Sequence, residues 1–328
     1  MGTSRDGGSD GPLLTIALPT YNRSAKLERQ LSWLAAELTT VPTARCEVLI
    51  SDNCSTDATP EVIQRWAEDR GSQRVRTQRH PKNVGAVPNI FSCIQAAKGR
   101  FVWTISDDDL FENGTVAFLL ELLTDSPELE LVILNFSMRN VKTGEYMYRR
   151  CFEIDEDVHL PQGRAVFSRL LVPRPPFRWG GLVLTSALVY RSETARAMFD
   201  WWPESFENLN AQLVVSAYCA AAGGTYVTAE SHLECAGGGD HHWMQDDRVF
   251  FEFVVADHAE AFLKLTEIGY DPRLCRRKIL EQLTYVSRRL TARCAVGHPV
   301  FTVRIVGRYL RALWRSHQQA RRVSRSPA

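Results

Sequence analysis

Asp107, Asp108 and Asp109 stand in a row near the end of FVWTISDDDLF (101–111), directly after a run of strand-forming residues. Adjacent carboxylates repel one another, and packing alone does not ask for three of them. In extended chain, residues i and i+2 point the same way, so Asp107 and Asp109 can face one site while Asp108 faces elsewhere. Two hard carboxylate oxygens suit Mg²⁺ or Mn²⁺. Such a cation serves a diphosphate leaving group, on which negative charge builds as its bond breaks. Asp is also common in solvated turns and at helix N-caps, and the triplet alone fits that reading too. A second acidic position, Asp52, ends CEVLISDN (46–53). It could accept hydrogen bonds from a base N–H or a ribose hydroxyl, or it could cap a turn.

The surrounding elements decide whether these residues converge. LLTIALPTY (13–21), CEVLISDN (46–53), VRTQRH (75–80), FVWTIS (101–106) and LELVILNFSM (129–138) read as strands. Between them, 25–38, 59–70, 87–99 and 114–125 carry apolar residues at helical spacing. Thr59-Pro60-Glu61 is a helix start, and Gly99 is read as the C′ residue that closes 87–99. Strand–helix alternation with short connections predicts an α/β fold, a mostly parallel sheet with helices on both faces. Ligands of such sheets bind beyond the carboxyl ends of the strands. Pro19-Thr20-Tyr21-Asn22-Arg23, Ser51-Asp52-Asn53, Arg79 with KNVGAVPN (82–89), and the Asp triplet all fall at those ends. One polar strand end is a turn; four make a site.

Beyond residue 140 the pattern loosens. Strands are expected at 147–154, 182–191 and 225–230, a helix at 208–223, and loops at 172–181 and 235–247. Helices are expected at 246–266, 272–292 and 299–320. The eight cysteines are scattered without a Cys-x-x-Cys pair, which argues against a zinc site or disulfide framework and for a reducing cytoplasm. No run of eighteen apolar residues suggests a membrane span. Residues 1–12 are small and polar and read as a disordered leader. Net charge is +1, yet residues 272–328 hold fourteen Lys/Arg and one acid, 14 − 1 = +13, which leaves 1 − 13 = −12 for residues 1–271.

The motifs TIALPTYNR (15–23), EVLISDNCSTDAT (47–59), NVGAVPNI (83–90) and GRFVWTISDDDLF (99–111), in this order, resemble the GT-A fold glycosyltransferases of family 2. The resemblance covers about residues 13–138 and extends loosely to the abequosyltransferase-like branch. It implies a catalytic domain over 13–245, with a nucleotide-binding half at 13–138 and an acceptor-side half at 139–245, followed by a helical basic extension at 246–328. It implies a nucleotide-diphosphate sugar donor, UDP first, with CDP, GDP and dTDP as alternatives. Pro19, Tyr21 and Arg23 would line the nucleotide pocket, Asp52 would hold the base, and Asn83 and Gly85 would lie beside nucleotide or sugar. Asp107, with Asp108, would contact the donor, and Asp109 would hold Mn²⁺ or Mg²⁺. His241 or His242, in GGGDHHW (237–243), would add a metal ligand, and Trp179, Gly180 and Gly181 would face the acceptor.

One departure concerns the base. Inverting members place an Asp at the start of the helix corresponding to 208–222, where this chain reads FENLNAQLVV. Asn210 and Gln212 cannot take a proton. Glu207 and Glu204 are the substitutes, unless configuration is retained and no strong base is needed there.

In the tail, Arg304, Arg308, Arg311 and Arg315 form one helical stripe, with Ile305, Tyr309, Leu310, Leu313 and Trp314 as an apolar side. A basic amphipathic helix can lie in a membrane interface, so 299–328 is a candidate peripheral contact with the inner membrane face. Few aromatics and no nucleic-acid-binding motif accompany the charge, which argues against nucleic acid. Two other readings compete. A sugar-nucleotide nucleotidyltransferase needs a Gly-rich phosphate loop that PTYNRSAKL lacks. A non-catalytic nucleotide-sugar or membrane-surface binding module is compatible with the missing base.

Overall fold

The structure is a computed structural model that describes residues 11–70, 75–171, 181–237 and 246–323. Its contacts divide the chain into two compact units, one of residues 1–127 with 191–193, the other of 128–190 with 194–328.

The first unit is built on four parallel strands, β1 (Leu14–Thr20), β2 (Cys46–Asp52), β3 (Val75–Arg79) and β4 (Phe101–Thr104), in the order β3-β2-β1-β4. Every residue of β2 is buried, as expected for a strand covered on both faces. The helices are α1 (Ser24–Glu37), α2 (Thr59–Arg70), α3 (Ala86–Ala96) and α4 (Thr115–Asp125). α1 lies against α2, while α3 packs on β1, β2 and β4. A two-residue strand, β5 (Leu110–Phe111), precedes α4. The buried Glu37 carboxylate accepts from the backbone N–H groups of Gly114 (2.7 Å) and Val116 (3.0 Å), so α1 supplies the N-terminal acceptors that α4 lacks locally.

The mostly parallel α/β expectation holds, and one expectation within this unit does not. α3 ends at Ala96 rather than at 99, and Gly99 is not its left-handed cap. A Cβ on Gly99 would lie 2.5 Å from the backbone nitrogen of Thr15 and 2.7 Å from the carbonyl oxygen of Phe101. Glycine stands there because the chain entering β4 runs against β1.

In the second unit, β6 (Leu129–Asn140) pairs antiparallel with β7 (Tyr146–Tyr148) and with β9 (Leu188–Arg191) through Leu188–Tyr190. β10 (Gly224–Gly237) pairs parallel with β6 and antiparallel with β8 (Val158–Leu160). Around them are α5 (Gly163–Leu171), α6 (Ser192–Trp201) and α7 (Ala211–Ala222). The strand expected at 147–154 is only three residues long, and the one expected at 182–191 begins at 188, after a 3₁₀ turn at Thr185–Ala187.

The C-terminal helices are α8 (Asp247–Glu252), α9 (His258–Glu267), α10 (Pro272–Gln282), α11 (Arg288–Gly297) and α12 (Pro299–Val323), with a π-helical segment at Phe253–Asp257. The expected helix over 272–292 is broken in two at Ser287, whose hydroxyl caps α11 by accepting from Leu290 N. These helices are part of the second unit's core: α9 packs on α7, and the Tyr270 hydroxyl donates to the Ala217 carbonyl at 2.8 Å.

Candidate functional site

The strand register brings the polar ends of the first unit together. Thr20 pairs with Asp52, and Asp52 with Arg79. The Asp triplet follows β4, beside β1. Aromatic packing holds the triplet's loop at both ends. Phe111 stacks on Trp33 at 4.8 Å, and Trp103, inside β4, meets Phe111 edge-on at 5.2 Å.

The triplet alternates as its spacing predicts. Asp107 and Asp109 are buried, and Asp108 is partly exposed between them. Asp107 accepts from Thr20 Oγ1 at 2.8 Å and from Arg23 Nη1 at 2.7 Å. Burial pushes its carboxyl above the ordinary range, and Arg23 and Thr20 offset only part of that push. Asp108 differs. Burial pushes it up, but the hydrogen bond from Ser106 and the charges of Arg23 (2.8 Å) and Lys26 (3.2 Å) outweigh burial and hold it below the usual carboxylate range. Asp108 is thus occupied by side chains from α1 and its approach, which fits a role in holding the loop.

At the end of β2, Asp52 Oδ1 accepts from Ser55 N at 2.9 Å. Its buried Oδ2 accepts no hydrogen bond among the described residues and faces Arg79 Nε at 3.4 Å. A carboxylate oxygen in that state is suited to a further N–H or O–H donor. Asn53 binds the next turn, donating from Nδ2 to Asn83 Oδ1 (2.9 Å) and to the Gly85 carbonyl (3.1 Å), and accepting from Val84 N at 2.9 Å. Asn83 Oδ1 also accepts from Gly85 N at 2.9 Å. Asn83 therefore builds the turn that leads into α3, and Gly85, at φ 95°, supplies the left-handed backbone the turn needs.

The loop after β1 is tied to the loop after β2. Asn22, itself left-handed at φ 51°, donates from its backbone N–H to Ser55 Oγ (2.9 Å) and accepts from Thr56 N (2.8 Å). Pro19 is half-buried and Tyr21 exposed beside this junction. A cavity of about 510 Å³ opens next to Asp52 and Arg79, walled by Pro60, Ile63 and Ala67 of α2 and Val75 and Thr77 of β3.

Pro19, Tyr21, Arg23, Asp52, Asn83, Gly85 and the three aspartates thus belong to one compact unit, at the carboxyl ends of its strands. Thr20, Lys26, Ser106 and Asn53 complete the network. Thr20 and Asn53 belong to the polar strand ends expected to converge, with no individual role expected of them; Lys26 lies three residues beyond Arg23 on the first turn of α1, and neither it nor Ser106 carries a chemical signal in sequence. Among the described residues no three His, Cys, Asp or Glu side chains form a metal cluster. His241, His242, Trp179 and Gly180 lie outside the described residues. Gly181 is described: a Cβ there would lie 2.4 Å from the Phe152 ring, so it is a packing glycine of the second unit. Glu204 and Glu207 lie exposed on a 3₁₀ turn, Pro203–Glu207, ahead of α7.

The glycosyl transferase family 2 model matches residues 15–191, more than half of the chain. The chain belongs to glycosyl transferase family 2. Among curated relatives, the abequosyltransferase RfbV of Salmonella typhimurium is 29% identical over 119 residues, 36% of this chain and 35% of that protein. A validoxylamine A glucosyltransferase of Streptomyces hygroscopicus is 46% identical over 59 residues, 18% of this chain and 13% of that one. The chain spans about a third of the length of the first curated relatives it matches. Among solved structures, the family 2 chain resembles Staphylococcus aureus TarS 1-349 in complex with UDP-GlcNAc, at a TM-score of 0.65 and 14% identity, over 92% of this chain and 81% of that one. It also resembles the mannosyltransferase PcManGT of Pyrobaculum calidifontis in complex with GDP-Man and Mn²⁺, at a TM-score of 0.50 and 15% identity, over 94% and 87%. These likenesses establish the GT-A fold for the family 2 chain.

Proposed function

We propose that the chain is a metal-dependent glycosyltransferase that moves a sugar from a nucleoside-diphosphate donor to an acceptor hydroxyl or amine on a glycan, a lipid-linked saccharide or a small molecule. The observation that carries the reading is the buried pair Asp107 and Asp109, set after β4 in the same strand-end rim as Asp52.

The residues fit a divalent cation. Mg²⁺ and Mn²⁺ need only one or two protein carboxylates when phosphates and water fill the remaining positions. Asp107 is a buried carboxyl whose charge Arg23 does not fully compensate. Asp109, with Asp107, would hold the ion, which would offset the charge developing on the departing diphosphate. Arg23 would meet a phosphate as well as Asp107, since a guanidinium can bind an anion through several N–H groups. Asp52 Oδ2 would accept from the base, and Tyr21 and Pro19 would flank it.

Within this reading UDP is the first nucleotide to test, as the complexes named for TarS contain UDP and UDP-GlcNAc. GDP belongs beside it because of the GDP-Man complex of PcManGT. The abequosyltransferase likeness supports a deoxy sugar as one donor candidate. Eight free cysteines accord with a reducing compartment. Glu207 or Glu204 is assigned as acceptor base, and a roughly 100-fold or greater loss of kcat in Glu207→Gln or Glu204→Gln would say which.

The test is a thermal-shift panel of UDP, GDP, CDP and dTDP, each with and without Mn²⁺. A ligand that binds only the folded chain raises its melting temperature. One nucleotide with a metal-dependent shift, followed by release of that nucleoside diphosphate on turnover, supports the transferase. A shift without turnover on any sugar favours the binding module. No shift with any nucleotide overturns the donor site.

A further inference from the structure

Helix α12 leaves one apolar line uncovered. Ile305, Tyr309, Ala312 and Ser316 are buried against the second unit. Arg308 also turns inward, where it meets Glu252, Asp257 and Glu260. On the opposite side Val300, Val303, Leu310 and Trp314 are 84%, 74%, 55% and 63% exposed. With Gly307 between them they recur at intervals of three and four residues, which places them on one line along the helix. Arg304, Arg311, Arg315 and Arg322 run beside that line, all exposed. Among the described residues Arg304, Arg311 and Arg315 make no ion pair, and α12 contains no acidic residue.

The spacing predicts an apolar side of Ile305, Tyr309, Leu310, Leu313 and Trp314. Ile305 and Tyr309 belong to the core instead, and Arg308 leaves the basic stripe.

The chemistry of this face selects its occupant. A second copy of the helix would set arginine against arginine with no acid to answer it, which disfavours pairing. A nucleic acid would use the arginines but not the valines, Leu310 or Trp314. A bilayer interface uses all of them: aliphatic side chains and tryptophan enter the boundary of headgroup and acyl chain, and arginines meet anionic headgroups. No helix among the described residues is long and apolar enough to cross a membrane. We propose that this face of α12 docks the chain on an anionic lipid bilayer, lying in the interface plane.

The test uses the full chain, sedimented with phosphatidylcholine vesicles with or without phosphatidylglycerol. Wild type co-sediments with the anionic vesicles and far less with the neutral ones. Arg304→Gln/Arg311→Gln/Arg315→Gln loses on the order of a hundredfold in partitioning, about fivefold for each arginine near the surface. Leu310→Ser/Trp314→Ser loses binding to anionic vesicles at low salt as well. Both variants keep the wild-type melting temperature, because the altered side chains face solvent. Unchanged partitioning of both variants overturns the proposal. So does a concentration-dependent dimer that Leu310→Ser/Trp314→Ser abolishes while vesicle binding persists, which would assign the face to a second copy. The proposal stands apart from the donor site: Asp109→Asn should bind vesicles as wild type does.

Discussion

Arg23 and Asp107 lie 2.7 Å apart, Nη1 to Oδ1, and the pair is uneven: the arginine side chain is 41% exposed and the aspartate 3%. The buried partner bears the desolvation, which is why its carboxyl is pushed up despite an adjacent guanidinium. A site that keeps a buried carboxylate undercompensated is stabilised by any cation that joins it and costs stability without one. Asp107→Asn removes the buried charge, and Arg23 retains Asp108. The melting temperature at neutral pH should hold or rise while turnover falls roughly 100-fold or more. A clear drop in melting temperature would mean that the Arg23–Asp107 pair is a net structural asset and not a functional liability.

Asp109→Asn separates metal from nucleotide. In the reading proposed here it removes a cation ligand but leaves Asp52 and the loop after β1 in place. Titration calorimetry with Mn²⁺ and UDP should lose the metal-dependent part of nucleotide affinity, roughly 10-fold or more, since a charged ligand to the ion is gone. The residual affinity should equal that of wild type without metal. Metal dependence that survives the substitution would move the ion away from Asp109.

Gly99→Ala tests the close approach of the chain to β1 at the entry to β4. Its Cβ would sit within 2.8 Å of three backbone atoms, Thr15 N, Phe101 O and Leu14 C, none of which can swing aside. The expected cost is roughly 3 kcal/mol, the upper part of the overpacking range, read as a shift in the urea midpoint at constant slope. A helix-cap glycine with left-handed backbone would lose less, about 1 to 2 kcal/mol.

The contrast at Gly99 marks what sequence can and cannot supply. β1 to β4 and α1 to α4 are legible because buried strands and amphipathic helices alternate at short intervals, and each local pattern agrees with its neighbours. The strand-end rim follows from that register, so Asp52 and the triplet could be placed without coordinates. The partners of the rim are another matter. Lys26 at Asp108 and Thr20 at Asp107 depend on which strands adjoin, and their residue types are common anywhere. α5 and α6 are not legible in sequence because nine or ten residues with partial periodicity resemble loop. In the tail the spacing revealed the arginine stripe but not the covered face, because the carboxylates that claim Arg308 lie 48 to 56 residues away.

Those carboxylates give a pH prediction. Asp257 is buried in the π-helical segment, accepts from Leu209 N at 3.0 Å and from Arg308 Nη2 at 2.9 Å, and its carboxyl is pushed up to about 7, chiefly by burial. A folded value above the unfolded one, about 3.9, means the folded chain binds the extra proton. The stability contributed by Asp257 is therefore full below about pH 4 and is lost as the pH rises towards 7. Asp257→Asn can still accept from Leu209 N, and it removes this titration. Relative to wild type the variant should melt higher at about pH 8 than at about pH 5, and wild type alone should show the falling slope between them. Parallel melting curves would place the titration elsewhere. Arg308→Met is the complementary change: it leaves Glu252, Asp257 and Glu260 facing one another without their shared cation. It should cost roughly 3 kcal/mol at neutral pH, the low end for removing one partner of a buried charge cluster. The loss should widen as the pH rises above about 7: Arg308 lowers the Asp257 carboxyl in wild type, so without it Asp257 stays protonated at neutral pH and ionises beside Glu252 and Glu260 only at higher pH.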